Sequence, residues 1–376
     1  MTTAFVLSGG GSLGAVQAGM LAALEEQGLR PDLLIGTSAG ALNAAYLGAH
    51  GYSSESIADL ATLWRGLRRQ DVFPVDPLRS VLAFAGKRAS LCSMRPLRRL
   101  VDKHLPITDL GDAQLPLHII TTDVLSGEEV VLSSGNATTA VLASAAIPAV
   151  FRPVDHEGRL LIDGGVSNNT AVGQAVALGS DRVVVVPAGF ACDLSEPPGT
   201  PLAALAHSIT LLLEQRLIVE VAHFADQVEI IVAPPLCPLS VNAVDFGHAD
   251  ELIDRAHADT RSWLEAGNEH LPHQARFLAL HRHSHKHGPG PDRSDRFPPL
   301  VDEVSKLQTP WLGLFGDRDQ SIPVEDVEQL RDALKSAPVP TEIVRYAEAG
   351  HGFHCDQRDA HDEPAAKDGW NRTLAW

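Results

Sequence analysis

Ser38 lies in Gly36-Thr37-Ser38-Ala39-Gly40, after an apolar run and before a helical one. A Gly-x-Ser-x-Gly in that setting holds a serine on a sharp turn with its hydroxyl exposed. One helix earlier comes a glycine loop, Gly9-Gly10-Gly11-Ser12-Leu13-Gly14. Glycines let backbone N–H groups approach a developing oxyanion without Cβ hindrance. Together the two motifs suggest acyl transfer through a serine ester. A serine hydroxyl still needs a base. The histidines of the first 270 residues, from His50 to His270, stand in no context that singles one out. Asp163 does stand out, because it ends the apolar run Leu160-Leu161-Ile162 and precedes Gly164-Gly165. A carboxylate at a strand end, beside a turn, sits at the edge where α/β active sites form.

Gly9-x-Gly11-x-x-Gly14 also fits a dinucleotide-binding fingerprint. That reading wants an acidic residue at the end of the second strand, to bind a ribose hydroxyl. Here the second strand runs directly into Gly36-Thr37-Ser38, so the cofactor reading fails. The linker tract His281-x-His283-x-His285-x-His287 invites a metal reading, but unanchored alternating histidines read more simply as a polar tract.

The elements that must position these residues alternate along the chain. Residues 4–8 read as a buried strand, about 15–27 as a helix, 32–35 as a second strand, and 41–47 as the start of the next helix. Further strands are expected at 117–122, 129–132, 159–162, 182–186 and 228–232, with helices at 171–178 and 202–224. This alternation predicts an α/β layered domain with a largely parallel sheet. Composition shifts after about residue 267 to a stretch rich in His, Pro, Arg and Asp. The expected organisation is a domain over 1–267, a linker over 268–305 and a second α/β segment over 306–376.

The chain carries 47 Asp and Glu against 30 Lys and Arg. That balance argues against general nucleic-acid binding, which needs a basic footprint. Cys92, Cys192, Cys237 and Cys355 show no Cys-x-x-Cys spacing and read as reduced thiols. The N-terminal run lacks a positive flank, and glycines interrupt it, so it does not read as a signal peptide. The apolar stretches are too short to span a bilayer. These features predict a soluble cytoplasmic protein.

Gly9-Gly10-Gly11-x-x-Gly14, Gly36-x-Ser38-x-Gly40 and Asp163-Gly164-Gly165, in that order, resemble the patatin-like phospholipase family over about residues 3–267. The resemblance implies a three-layer α/β/α domain with a central, mostly parallel sheet. It implies Ser38 as nucleophile, Asp163 as base of a dyad, and an oxyanion hole from the amides of Gly9, Gly10 and Gly11. Gly14, Gly36, Gly40, Gly164 and Gly165 would support the turns. The implied substrate is a lipid or other carboxylic ester, and no metal or organic cofactor is needed. One departure is Leu13, where the family commonly has Arg or Lys. A non-catalytic relative that binds lipid or a partner is the competing class.

Between residues 65 and 103 the charge sign inverts. Arg65, Arg68, Arg69, Arg95, Arg98, Arg99 and Lys103 are among ten cations facing only Asp71, Asp76 and Asp102, with apolar residues interleaved. The stretch reads either as an amphipathic flap meeting anionic lipid or as a solvated helix face.

The tail resembles the dienelactone hydrolase family through Leu312-Gly313-Leu314-Phe315-Gly316-Asp317-Arg318-Asp319, Ile322-Pro323, Gly350-His351-Gly352-Phe353 and Ala366-Lys367-Asp368-Gly369-Trp370. In that α/β-hydrolase family the positions of Asp319 and His351 complete a triad. No Gly-x-Ser-x-Gly or Gly-x-Cys-x-Gly follows residue 40, so the nucleophile of such a domain is missing. The tail therefore reads as a partial α/β-hydrolase-like segment, catalytically inert. A triad of Ser38 with His351 and Asp319 is the alternative, and it requires two unrelated folds to share one site.

Overall fold

Thr3–Leu7 forms an internal strand, β1, and all five residues are buried. A strand covered on both faces needs apolar side chains at consecutive positions, and Ala4-Phe5-Val6-Leu7 supplies them. Phe5 and Leu7 enter one core and Ala4 and Val6 the other, as the two-residue period of a strand requires. The computed structural model describes residues 1–74, 89–189, 199, 201–237, 239, 241–270, 304–319, 322–350, 353 and 362–376. The chain divides into two units, Met1–His283 and Ser284–Trp376.

In the first unit, β1 is followed by α1 (Gly14–Glu26), β2 (Leu33–Thr37), α2 (Ala39–His50), α3 (Ser54–Gly66), α4 (Arg69–Val72) and α5 (Arg95–His104). Next come β3 (Leu117–Asp123), β4 (Glu129–Leu132), α6 (Ala137–Ser144), β5 (Val154–His156), β6 (Arg159–Asp163), α7 (Gly165–Asn168) and α8 (Val172–Ala177). Then follow β7 (Arg182–Val186), α9 (Pro201–Phe224), β8 (Glu229–Val232) and α10 (Ala249–Glu265). The eight strands make one sheet in the order β5-β6-β3-β2-β1-β7-β8, with β4 also against β3. β1, β2, β3, β7 and β8 pair in parallel. β4, β5 and β6 are antiparallel. One core lies under α1, α2, α3, α5, α6 and α10, and the other under α8 and α9. The expected three-layer α/β/α arrangement is therefore present.

The N-terminal run, without a charged side chain before Glu25, is β1 and most of α1. Ten of the thirteen α1 residues are buried, as befits a helix that is apolar on all sides. β5 is absent from the expected strands, because Val-Asp-His carries no strand signal of its own. It pairs with β6 through a two-residue turn in which Glu157 and Gly158 both take positive φ, 53° and 84°. That is the backbone of a tight hairpin turn, and Glu at its first position hides it in the sequence. The basic stretch is not one element: Arg65 is ion-paired to Asp250 and Asp254 of α10, 2.8 Å each, while Arg95, Arg98, Arg99 and Lys103 lie on α5. Residues 75–88 of that stretch lie outside the described residues. No helix among the described residues is long and apolar enough to cross a membrane.

The second unit contains β9 (Trp311–Gly316), α11 (Val324–Leu334), β10 (Thr341–Tyr346) and α12 (Glu363–Ala375). β9 and β10 form a two-stranded parallel sheet. No residue of β10 is fully buried. Arg345 of β10 binds Asp317 through two nitrogens, 2.7 and 2.8 Å, and Glu328 at 2.6 Å. The guanidinium holds the Asp317 carboxyl below the usual carboxylate range.

Candidate active site

β2 ends at Thr37 and α2 begins at Ala39, so Ser38 alone reverses the chain, with φ 53° and ψ −117°. This conformation is costly for a residue with a side chain and persists only where its surroundings over-determine it. The flanking glycines permit it. A β-carbon on Gly40 would lie 2.1 Å from the Leu7 carbonyl oxygen, and one on Gly36 would lie 2.5 Å from that of Gly40. The Ser38 amide donates to Ser144 Oγ at 2.9 Å, and Ser144 Oγ donates to the Ile120 carbonyl at 2.6 Å.

Asp163 arrives by sheet register. β2 pairs with β3 up to Thr37 opposite Ile120, and Asp163 of β6 stands opposite Thr121. β4 covers Ile119–Thr122 from the other side. β2 and β6 therefore share one edge of β3, run in opposite directions and end facing each other. Ser38 Oγ donates to Asp163 Oδ2 at 2.6 Å, across 125 positions of sequence. Asp163 Oδ1 accepts from the Gly165 amide at 2.8 Å, and the Asp163 carbonyl accepts from Thr122 Oγ1 at 3.0 Å. Both side chains, Ser38 and Asp163, are buried. Burial pushes the Asp163 carboxyl up to about 6, against the pull of the Ser38 and Gly165 hydrogen bonds. Gly164 lies against the Ile120 carbonyl, and Gly165 opens α7.

The glycine loop is tied to the same region. The Gly9 amide donates to the Asn169 carbonyl at 3.4 Å, and Asn169 Nδ2 donates back to the Gly9 carbonyl at 3.3 Å. Gly9 is thus engaged in holding the loop. The amides of Gly10 and Gly11 have no acceptor among the described residues. Gly11 adopts φ 61° and lines the same pocket as Ser38. Gly14 starts α1, and its carbonyl accepts from Asn43 Nδ2 at 3.0 Å. Leu13 is buried in the core.

The Ser38 pocket has a volume of about 30 Å³ and is walled by Leu42, Trp64, Phe73, Ile147, Phe151 and Phe246, among others. An apolar, narrow pocket beside a serine hydroxyl suits an alkyl chain. Among the described residues no histidine ring bonds Ser38 or Asp163, and no group of three or more His, Cys, Asp or Glu side chains could hold a metal ion. The histidine tract 281–287 and His351 lie outside the described residues. Asp319 is half-buried in the second unit. Ser144, Asn169 and Thr122 are absent from the sequence reading. Ser144 sits in the apolar run Val141-Leu142-Ala143-Ser144-Ala145-Ala146, where nothing local marks it.

Fold and site define an α/β/α protein with a buried, hydrogen-bonded serine–aspartate pair, Ser38 on the β2–α2 turn and Asp163 at the end of β6. Residues 5–176 match the patatin-like phospholipase family, and residues 287–376 match the dienelactone hydrolase family. The chain joins a patatin-like segment to a dienelactone-hydrolase-like one. A Salmonella typhimurium protein named as a carboxymethylenebutenolidase is 50% identical over 76 residues, 20% of this chain and 28% of that protein. A lysophospholipase of Aspergillus terreus is 25% identical over 289 residues, 69% of this chain and 18% of that protein. The chain thus spans little more than a quarter of the first curated relatives it matches. Among solved structures, VipD from Legionella pneumophila aligns with TM-score 0.40 and 16% identity, covering 89% of this chain and 79% of that one.

Proposed function

We propose that the first unit is a serine acyl hydrolase acting on lipid or other carboxylic esters through a Ser38–Asp163 dyad. The observation that carries this reading is the 2.6 Å hydrogen bond from the Ser38 hydroxyl to the Asp163 carboxylate, buried beside an apolar pocket. Ser38 Oγ bonds to the ester carbonyl carbon as Asp163 takes its proton, and the carbonyl electron pair moves onto oxygen. The amides of Gly10 and Gly11 donate to that oxyanion, and the positive end of α2 favours it. Collapse expels the alcohol, which leaves with the proton from Asp163. Water then attacks acyl-Ser38, with Asp163 again as base, and releases the acid. Asp163 carries every proton in the cycle. Burial supports its role as base, because a carboxylate of ordinary acidity is a weak one.

The exposed cations of α5, Arg95, Arg98, Arg99 and Lys103, support a peripheral contact with an anionic membrane. Among the described residues none of them has an acidic partner.

The test of the dyad is labelling and turnover. A fluorophosphonate should label Ser38, and Ser38→Ala or Asp163→Asn should lower hydrolysis of p-nitrophenyl butyrate by roughly a thousandfold or more. Parent-level turnover in either variant would end the dyad assignment. A folded protein that neither labels nor turns over ester would favour the non-catalytic lipid-binding class.

A further inference from the structure

Asn169 follows α7 and lies between the glycine loop and the dyad. Its Nδ2 donates to the Gly9 carbonyl at 3.3 Å, and its own carbonyl accepts from the Gly9 amide at 3.4 Å. The Gly9 acceptor fixes the carboxamide: the NH2 group faces the loop, and Oδ1 faces away from it. Oδ1 borders both members of the dyad. A β-carbon on Gly9 would lie 2.5 Å from Asn169 Oδ1 and 2.9 Å from Ser38 Cβ. One on Gly165 would lie 3.0 Å from the same oxygen and 3.1 Å from Asp163 Oδ1. A side chain at either position would cover this oxygen. Asn169 is half-buried, and among the described residues nothing donates to its Oδ1. Neighbouring acceptors are taken: Asp163 Oδ1 by the Gly165 amide at 2.8 Å, and Ser144 Oγ by the Ser38 amide at 2.9 Å.

We propose that Asn169 is a catalytic residue of deacylation: its Oδ1 accepts one hydrogen of the attacking water and so aims the water oxygen at the acyl carbon. The proposal rests on the reading of Ser38 as nucleophile and Asp163 as base. Once Ser38 is acylated its Oγ has no hydrogen, and Asp163 Oδ2 loses the donor it holds at 2.6 Å. A water that takes this place gives one hydrogen to Oδ2 and needs an acceptor for the other. Apart from Ser38 itself, the side chains of the Ser38 pocket carry no acceptor, and an unpaired donor there is costly. The water oxygen bonds to the carbonyl carbon and Asp163 takes one proton. The carbonyl electron pair moves onto oxygen, held by the amides of Gly10 and Gly11. The second hydrogen stays on the attacking oxygen, bound to Asn169. Collapse breaks the bond from carbon to Oγ, and Ser38 recovers the proton from Asp163 as the acid leaves. A neutral carboxamide suits this place, because a second carboxylate would oppose ionisation of Asp163.

Methanol separates this role from the hold on Gly9. It has a single O–H, which Asp163 takes, so it attacks acyl-Ser38 without needing the Asn169 acceptor. The measurement is the ratio of methyl butyrate to butyrate formed by the full chain from p-nitrophenyl butyrate at a fixed methanol concentration. Asn169→Ala should raise this ratio about tenfold, because only water loses its orienting partner. A loosened glycine loop weakens the hold on the oxyanion in both reactions, so by itself it leaves the ratio at the parent value. If Asn169→Ala does not fold, Asn169→Ser, whose hydroxyl is too short to reach the position of Oδ1, should raise the ratio in the same direction. A folded variant of either kind with the parent ratio, while butyrate formation still depends on Ser38, overturns the role of Asn169 and leaves the dyad standing. Butyrate formation that survives Ser38→Ala overturns the dyad, and the role of Asn169 falls with it.

Discussion

Ser144 holds the backbone of Ser38: its hydroxyl accepts the Ser38 amide at 2.9 Å and donates to the Ile120 carbonyl at 2.6 Å. The hydroxyl bridges the end of α6, the turn at Ser38 and strand β3, and Ser144 is fully buried. It satisfies an amide that the strained turn at Ser38 would otherwise leave unpaired. Ser144→Ala should destabilise the fold by about 1–3 kcal/mol, the cost of a buried donor left without an acceptor. Because the turn that aims Ser38 is loosened, kcat on p-nitrophenyl butyrate should fall about tenfold with little change in KM. Ser144→Thr, which keeps the hydroxyl, should recover part of kcat. A thermal melt and a kcat both equal to the parent's would count against this positioning role.

Asp163 links activity to pH. Its carboxyl is raised to about 6 by burial, and the proposed base is the ionised form. Activity should therefore rise with pH through an apparent pKa near 6 and level off above it. A profile that is flat from pH 5 to pH 8 would reject Asp163 as the base, since about a tenfold change is expected over that span.

The same shift has the opposite sign for stability. The native state holds the proton more tightly than the unfolded chain, whose carboxyl titrates near 3.8. The stabilising contribution is complete below pH 4 and is lost as pH rises through about 6. Above that, an ionised, buried Asp163 costs the fold up to about 3 kcal/mol. Asp163→Asn removes this cost, so the variant should gain stability over the parent at pH 8 and lose that advantage at pH 4. Denaturant midpoints at the two pH values provide the check, and a difference independent of pH would contradict the assignment.

The α5 cations bear on membrane contact. The chain carries a net charge of −17, so long-range forces oppose an anionic surface. Only a local cationic patch, acting within a Debye length, can reverse this. Arg95→Glu, Arg98→Glu and Arg99→Glu together should weaken binding to phosphatidylserine-containing vesicles at least about a hundredfold, at roughly 1 kcal/mol for each cation removed. Cosedimentation unchanged by the triple substitution would leave these residues as a solvated helix face.

Local features of the site are legible in the sequence because they depend on neighbours in the chain. Gly36 and Gly40 bracket Ser38 because the turn leaves no room for a β-carbon, and Asp163 announces itself by ending an apolar strand before two glycines. The alternation of β1 and α1, and of β2 and α2, follows from hydrophobic period and is read directly from residue order. What the sequence leaves open is how close the Asp163 carboxylate comes to the serine and what holds the serine's amide. Those depend on register: β2 stops at Ile120, β6 stops at Thr121 from the opposite direction, and β4 fills the other edge. Ser144 and Asn169 enter the site only because that pairing brings α6 and the end of α7 against it. A residue's type and spacing fix its own turn or helix, whereas strand pairing between segments more than a hundred residues apart is decided by packing of the whole sheet.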